Sequence, residues 1–402
     1  MNLSRTKSLL TKDKSVDFKP ERWLERARAH RRHLHAIPEL GFDLYQTQAY
    51  VISVLAPLGY SLKTVARTGL IATRPGSTTK TFVIRAEMDA LPIHESNDVV
   101  YRSKHAQRMH ACGHDGHMAM ALVIAEWAVK VNHPLSLCLV FEPAEETEGG
   151  GKFVVADETY RHLDIGAVMA LHLDPQTPFG QCTSRPGIMT AQDGDLDITL
   201  IGQRAHGATP QHGVNALQAA SQFILSCASF NRLEGALTDR LITVGVLNAG
   251  DGRNIIPARA HLQGTLRAYH KNHYEAILAA VDTALEDVQG AYGVTHERTL
   301  QTYHPPVVND EALFQLASEV LGPQLSVCPP MLIAEDFSYY QQHHPGLFIM
   351  LGTALEDNIS QLHSDRFDFD ERILTEGCAL YVRFMNTFLT QWRQPHDVVN
   401  RS

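Results

Sequence analysis

The sequence predicts an α/β fold, with a mainly parallel sheet sandwiched by helices and a smaller α+β unit inserted into it. Apolar runs alternate with helix-like segments up to about residue 191, the pattern then changes, and it resumes near residue 305. A chain of 402 residues is also longer than one hydrophobic core usually supports. We therefore expect a larger domain made of 1–191 and 305–402, and an inserted domain at 192–304.

The first half contains three apolar runs that end in polar residues, at 81–92, 135–146 and 165–174, and each is typical of a buried strand. Between the first two, 115–130 places small and apolar residues as a helix packed on a sheet would. Strands separated by helices favour a parallel sheet covered on both faces. Sites on such sheets form at the carboxyl ends of the strands, so we expect the chemistry at these polar ends.

The middle of the chain has the alternating pattern of half-buried strands, at 196–202, 241–247 and 258–269. Two helix-like segments, 214–230 and 274–292, accompany them and complete a compact α+β unit. The helix and strand alternation of the first half then returns. It comprises 306–322, a strand at 346–352 and a long helix from about Glu371 to Trp392.

Composition excludes several classes of function. The net charge of -9 argues against a nucleic acid or an anionic membrane as partner, and no uncharged apolar run is long enough to span a bilayer. Met1 to Lys14 is basic but has no apolar segment of a signal peptide, so we expect a loosely ordered leader. The six scattered cysteines predict reduced thiols, and together these features predict a cytoplasmic protein.

The strongest chemical signal is MHACGHDGHMAMA at 109–121. It places Cys112, His114, Asp115 and His117 directly ahead of a predicted helix. Thiolate and imidazole are good ligands for zinc, cobalt, iron or manganese. Capping and packing at a helix start would explain the same residues, so this segment alone leaves both interpretations open.

A second signal, FEPAEETEGGG at 141–151, delivers Glu145 and Glu146 at the end of a buried strand. One carboxylate can bind a metal while the other takes a proton from water; the alternative is a solvated acidic turn. His172, at another strand end, and His363, before an acidic stretch, are each ordinary alone. Taken together on one rim of one sheet, these residues predict a metal site.

These motifs give the chain a specific resemblance. From 31 to 371 it resembles the aminoacylase/carboxypeptidase-type metallo-amidohydrolases, in the branch of hippurate hydrolases, N-acyl-amino-acid amidohydrolases and plant-type auxin-conjugate hydrolases. The resemblance implies a zinc-peptidase-like catalytic domain with an inserted lid that dimerises. The motifs that carry it are RAEMDALPI, MHACGHDGH, EPAEETEGGG, AHGATPQHGVNA, NIIPARA, GTLRAY, AEDFSYY and the terminal LHS.

The resemblance also implies a role for each matching residue. Glu145 would be the general base, Asp89 would orient a ligand imidazole, and His206 would reach the active site of a partner subunit across the dimer. Asn254 and Arg267 would bind the substrate carboxylate, a role that suits the planar guanidinium; an ordinary charge on a strand is the alternative for Arg267. Asp115 and His117 would be supporting residues. Two divalent ions (zinc, manganese, cobalt or nickel), bridged by the thiolate, would be held by Cys112, His114, Glu146, His172 and His363.

The implied function is hydrolysis of the amide bond of a small N-acyl amino acid by a homodimer or higher homo-oligomer. A small-peptide hydrolase on the same scaffold is the second hypothesis, and a catalytically silent metal-binding or small-molecule-binding protein is the third. Three residues depart from the usual pattern of this branch: Glu87, Arg108 and Glu142. We expect Arg108 and Glu142 to alter the charge near the substrate, so the acyl preference is left open.

Overall fold

The computed structural model describes residues 18–232, 239–356 and 360–391. The expected leader at Met1–Lys14 and the predicted helix end at Trp392 lie outside these ranges. The strands are β1 (Ser61–Val65), β2 (Gly69–Arg74), β3 (Thr81–Glu87), β4 (Ser136–Glu142), β5 (Ile165–Pro178), β6 (Cys182–Ser184), β7 (Gly187–Ile188), β8 (Gln192–Ile201), β9 (Ala205–His206), β10 (Arg240–Ala249), β11 (Ile255–Ile256), β12 (Arg259–Ala268), β13 (Thr295–Thr302), β14 (Val308–Asn309), β15 (Leu325–Val327) and β16 (Gly346–Ala354).

The α-helices pack on these strands or connect them. They are α1 (Pro20–His35), α2 (Tyr45–Leu55), α3 (His114–Lys130), α4 (Gly151–Ala156), α5 (Glu158–Arg161), α6 (Ala216–Arg232), α7 (Lys271–Tyr292), α8 (Glu311–Leu321), α9 (Ser338–Gln341) and α10 (Arg372–Gln391).

The larger sheet has eight strands in the order β1-β2-β4-β3-β5-β16-β6-β15. Its four central strands, β4, β3, β5 and β16, are all parallel. Antiparallel pairs occur towards its margins, where β1 meets β2, β2 meets β4 and β6 meets β16. The predicted α/β class with a mainly parallel sheet is confirmed.

Helices cover both faces of this sheet, and the sequence of β3 shows why. Successive side chains of a strand point to opposite faces. Phe82 belongs to the core under α1, α3 and α10, whereas Val83 belongs to the core on the other face with residues of α4 and α9. The Phe82 ring lies 5.9 Å from that of Phe384 and 5.2 Å from that of Phe388, both on α10. The run Phe82 to Ile84 is apolar without alternation because neither face of the strand meets water.

A second sheet of four antiparallel strands, in the order β10-β12-β8-β13, has its own core. On β8, Leu196 and Ile198 are buried in the core with α6 and α7, whereas Asp195 and Asp197 lie on the opposite face. This sheet contains the strands predicted in the middle of the chain. The domain limits themselves stay a prediction, and so does the role of this unit as a lid.

Two further features bear on the composition arguments. Among the described residues, no helix is long and apolar enough to cross a membrane. All six cysteines are free thiols, and all but Cys328 are buried.

Candidate metal centre and active site

The site lies at the carboxyl edge of the larger sheet, where the parallel strands β3 and β4 end together beside the longer strand β5. The turn after β4 carries Glu145 and Glu146, and His172 lies on β5. Cys112 stands just before α3, and His114 is the first residue of that helix. The topology therefore brings side chains from four segments to one place, as expected for a parallel sheet.

The five side chains predicted as ligands form one cluster. The Glu146 Oε1 atom lies 3.2 Å from His363 Nε2 and 4.0 Å from His114 Nε2. The Cys112 Sγ atom lies 3.6 Å from His172 Nε2. Ligand atoms of Cys112, His114 and Glu146 all lie within 4.8 Å of one another. Metal-ligating groups from distant parts of the chain thus converge within the reach of a small cation.

Two of these imidazoles are oriented by backbone carbonyl groups. His114 Nδ1 donates to the carbonyl oxygen of Asp89 at 2.9 Å, and His172 Nδ1 donates to that of Leu173 at 2.9 Å. A carbonyl can only accept, so each Nδ1 carries a proton, and the neutral form of each imidazole then has its Nε2 lone pair available for a metal. His114 is 1% exposed, and its Nε2 atom has no hydrogen-bond partner among the described residues. A buried lone pair without a partner, beside a thiol and a carboxylate, fits a bound metal ion.

The donor set also limits which ion would fit. One sulfur, imidazole nitrogens and a carboxylate suit zinc, manganese, cobalt or nickel better than magnesium or calcium. Burial, and then the carboxylate of Glu146, raise the pKa of the Cys112 thiol well above its usual value. A coordinated cation reverses that tendency, because a thiol bound to a metal loses its proton.

His117 supports the cluster. Its Nδ1 atom lies 2.7 Å from Glu87 Oε2, and its Nε2 atom accepts the N–H of Leu173 at 3.0 Å. Burial lowers the pKa of His117 to about 4, against the opposing effect of Glu87. Both ring nitrogens are engaged, so His117 fixes the backbone of β5 next to His172 and has no free lone pair for a metal.

Asp115 is also structural in its contacts. Its carboxylate oxygen Oδ2 accepts from Arg31 Nε at 3.0 Å and lies 2.8 Å from His35 Nδ1. Both partners belong to α1, so Asp115 anchors the first helix to α3.

Asp89 organises the turn that carries the two glutamates. Its carboxylate is fully buried and accepts the backbone N–H of Glu145 at 3.2 Å and that of Glu146 at 3.1 Å. The imidazole of His114 is held by the carbonyl oxygen of Asp89, while the carboxylate lies 3.6 Å from His114 Nδ1. One residue thus fixes both the His114 imidazole and the turn that carries Glu145 and Glu146, the glutamate turn (143–150).

Glu145 lines a cavity of about 580 Å³ together with four members of the cluster, Cys112, Glu146, His172 and His363. Burial, and then the nearby carboxylates of Glu335 and Glu146, raise the pKa of Glu145 well above its usual value. A carboxylate with a high proton affinity beside a metal cluster can act as a general base. The cavity lining comprises Cys112, Glu145, Glu146, Thr147, His172, Asp193, Asp195, Arg267, Tyr303, His304, Leu332, Ile333, Ala334, Glu335, Phe348, Met350, Leu362 and His363.

Part of this lining was not identified from the sequence. Asp193 Oδ1 accepts the backbone N–H of His304 at 2.8 Å and lies 3.0 Å from its Nδ1 atom. These two residues lie where the chain enters and leaves the second sheet, 111 positions apart. No local motif links them. Glu335, in contrast, lies in AEDFSYY, a motif that already contributed to the resemblance.

The three predicted substrate-binding residues are not all in this cavity. Arg267, on β12, lines it, and its Nη1 atom donates to the carbonyl oxygen of Leu332 at 3.2 Å. His206 and Asn254 are exposed and lie together near the short β9–β11 pair, outside the cavity lining. Within one chain, Arg267 therefore shares the cavity with the cluster, whereas His206 and Asn254 lie outside that cavity.

The three departures from the usual pattern are also not in the cavity lining. Glu87 and Glu142 are buried beneath the site, where both bind the guanidinium of Arg85. Arg108 is half-buried and does not line the cavity. Neither Glu142 nor Arg108 therefore faces the cavity, and the structure does not support their expected direct effect on the charge near the substrate.

Comparisons with known proteins agree along most of the chain. A sequence profile described as peptidase family M20/M25/M40 matches residues 83–387. N-acetyldiaminopimelate deacetylases of Anoxybacillus flavithermus and Oenococcus oeni are 32% and 33% identical, over 92% and 88% of this chain and 97% and 96% of their own lengths. A dinuclear metal-binding M20 peptidase of Bacillus subtilis superposes with a TM-score of 0.78 at 27% identity, covering 91% of this chain and 98% of that structure.

The tight glutamate turn generates a stability prediction. A methyl group on Gly150 would lie 1.7 Å from the carbonyl oxygen of Pro143, at the other end of the turn. We expect Gly150→Ala to lower the free energy of unfolding by about 1–3 kcal/mol, measured by chemical denaturation, and to weaken metal binding.

The matched control is Gly290→Ala on α7, where nothing lies within 4 Å of the added methyl group. This substitution is expected to raise stability by up to about 1 kcal/mol, because alanine favours the helix. Equal stabilities of the two variants would show that the turn has room for the methyl group.

Proposed function

This chain belongs to peptidase family M20/M25/M40 and is a hydrolase of amide C–N bonds, and we propose that it cleaves N-acyl amino acids with two divalent metal ions. The observation that carries the proposal is the shared cavity. Its lining includes Glu145, Arg267 and four of the five proposed ligands, which are Cys112, Glu146, His172 and His363. This hydrolysis needs three groups: a general base, a set of metal ligands, and a cation that binds the carboxylate of the substrate.

In the proposed reaction, Cys112, His114, Glu146, His172 and His363 hold the ions, which would act as Lewis acids and lower the pKa of water. Glu145 accepts a proton from the water that attacks the amide carbon. It then delivers that proton to the nitrogen of the departing amine, so the base is restored for the next turnover. Asp89 keeps Glu145 and Glu146 in place through their backbone N–H groups.

The substrate assignment rests on the other side chains of the cavity. Arg267 can pair with the carboxylate of the amino-acid product through two parallel hydrogen bonds. Leu332, Phe348 and Met350 provide an apolar lining that suits an acyl chain. The relatives named as N-acetyldiaminopimelate deacetylases act on an N-acetyl amino acid, which supports this class.

A small peptide with a free amine is the second candidate substrate. Asp193 and Asp195 also line the cavity, and a carboxylate there could hold the ammonium group of a dipeptide. The scissile amide is neutral in both candidates, but only the dipeptide carries a free ammonium group, so one panel of compounds separates them.

We further propose that the protein acts in the cytoplasm as a homodimer. His206 and Asn254 are exposed and lie outside the cavity of their own chain. In a dimer, these residues would complete the active site of the partner subunit. There, His206 would polarise the scissile carbonyl of the substrate bound to that subunit.

The panel is the first test of the function. We expect the chelated protein to be inactive, and Mn²⁺, Zn²⁺ or Co²⁺ to restore the release of free amino acids from N-acyl substrates, measured by amine detection. Dipeptides with a free amine should be cleaved more slowly. Preference for the dipeptides would favour the second candidate, and no hydrolysis by metal-loaded protein would contradict both.

Glu145→Gln tests the base. The amide keeps the size of the side chain but cannot take a proton, so we expect at least a roughly hundred-fold loss of kcat, the lower range for a positioned base. Metal content, measured by mass spectrometry, should stay at the wild-type level. A Gln variant with near wild-type turnover would remove Glu145 from this role.

Subunit complementation tests the proposed dimer. His206→Ala and Glu145→Gln homodimers should each be nearly inactive, whereas a mixed dimer should contain one site with both residues intact. We expect exchange of the two variants to restore a measurable part of the wild-type rate. Inactivity after mass spectrometry has verified mixed dimers would show that His206 does not act across an interface.

A further inference from the structure

We propose that Arg85 and Glu142 are positioning residues that hold the turn carrying Glu145 and Glu146 from beneath. The inference rests on the proposed function for the roles of those two glutamates. It adds that a buried ionic network centred on Arg85, which does not itself line the cavity, fixes both ends of the turn.

Arg85 is an unusual residue for its place. It lies on β3, between apolar neighbours, and its side chain has no exposed surface. A buried guanidinium is tolerated only when carboxylates and hydrogen bonds compensate its charge. Four carboxylates contact it, from Glu87, Glu142, Glu335 and Asp336.

The first end of the turn is held directly. Glu142 is the last residue of β4 and immediately precedes the turn. Its two carboxylate oxygens accept from Arg85 Nε at 3.0 Å and from Arg85 Nη2 at 3.1 Å. The hydroxyl of Tyr340 donates to the same carboxylate at 2.5 Å. This two-pronged pairing fixes the orientation as well as the distance of the strand end.

The second end is held through Asp336. One of its carboxylate oxygens pairs with Arg85, and the other accepts the backbone N–H of Gly151 at 2.9 Å. Gly151 begins α4, directly after the turn. The guanidinium on β3 is therefore connected to the residues on both sides of the turn.

The same guanidinium also lies behind the base. Glu335 lines the cavity, and its Oε1 atom lies 3.0 Å from Arg85 Nη2. Carboxylate oxygens of Glu145, Glu335 and Asp336 all lie within 4.8 Å of one another. Without a cation beneath them, mutual repulsion would move these carboxylates apart. Arg85 is thus placed to hold the turn in position and to offset the charge crowded around the base.

Glu142 offers the cleanest test, because three carboxylates remain around Arg85 when it is changed. Glu142→Leu fills a similar volume but accepts no hydrogen bond, whereas Glu142→Gln keeps an amide oxygen for Arg85 and for Tyr340. A residue that only fills space would tolerate leucine as well as glutamine. A positioning residue requires the hydrogen bonds.

We expect Glu142→Leu to weaken Co²⁺ binding by about 10–100-fold, as when outer-shell partners of metal ligands are removed. Titration of the chelated protein with Co²⁺, followed by its absorption spectrum, measures this without substrate. The kcat should fall by a similar factor while KM changes by less than about threefold, because the turn and not the substrate contact is disturbed. Glu142→Gln should stay within about threefold of wild type in all these quantities.

Wild-type Co²⁺ binding and kcat in a folded Glu142→Leu variant would overturn the proposal. So would equal losses in the Leu and Gln variants. If the Leu variant does not fold, Tyr340→Phe, which removes one donor to Glu142, decides: a smaller loss of Co²⁺ affinity and kcat supports positioning, and no change contradicts it. Wild-type protein that binds Co²⁺ but releases no amino acid would contradict the proposed function alone, and the Co²⁺ titrations would still decide this inference.

Discussion

The crowding of buried carboxylates at one edge of the larger sheet is the constraint on which the rest of the site depends. Glu87, Glu142, Glu335 and Asp336 are buried around a single guanidinium, that of Arg85. Charges removed from water need partners of opposite sign, and one cation cannot compensate four anions. Hydrogen bonds, such as those from Tyr340 and from the backbone N–H of Gly151, and protons shared between carboxylates must supply the remainder. The fold therefore gathers these carboxylates and their shared cation directly beneath the turn that carries Glu145 and Glu146.

The buried charges fix the position of the glutamate turn. Asp89 holds its middle through two backbone N–H groups, and the Arg85 network holds its two ends. Ala144, just before Glu145, has a φ of 60°, and His363 has a φ of 61°. Such left-handed conformations are uncommon for residues other than glycine and often occur at functional sites. The left-handed backbone at Ala144 and the ion pairs of Arg85 together place the carboxylates of Glu145 and Glu146 at the cluster.

Much of the site could be predicted from the sequence, because its signals are local. Apolar runs that end in polar residues predicted the strands, and the residue types at those ends predicted metal ligands. The structure places Cys112, His114, Glu146, His172 and His363 together. The α/β class followed from the same alternation, and the structure confirms it.

The remainder depends on contacts between distant parts of the chain. The Arg85–Asp336 pair joins positions 251 apart, and the Asp193–His304 pair joins positions 111 apart. No spacing rule predicts such pairs. Sequence also cannot tell which atom of a residue makes a contact: Asp89 was expected to orient an imidazole, and its carbonyl oxygen does so while its carboxylate holds the turn. His206 and Asn254 came from resemblance alone and lie away from the cavity.

The most direct measurement is anomalous X-ray diffraction from crystals of the protein loaded with Mn²⁺ or Zn²⁺, recorded at the absorption edge of the metal. Two anomalous peaks should lie among Cys112, His114, Glu146, His172 and His363, with the Cys112 sulfur in contact with both and Glu145 next to them. A crystal whose fully loaded protein shows no peak within this cluster, or metal bound only elsewhere, would contradict the assignment of this site as a dinuclear hydrolytic centre.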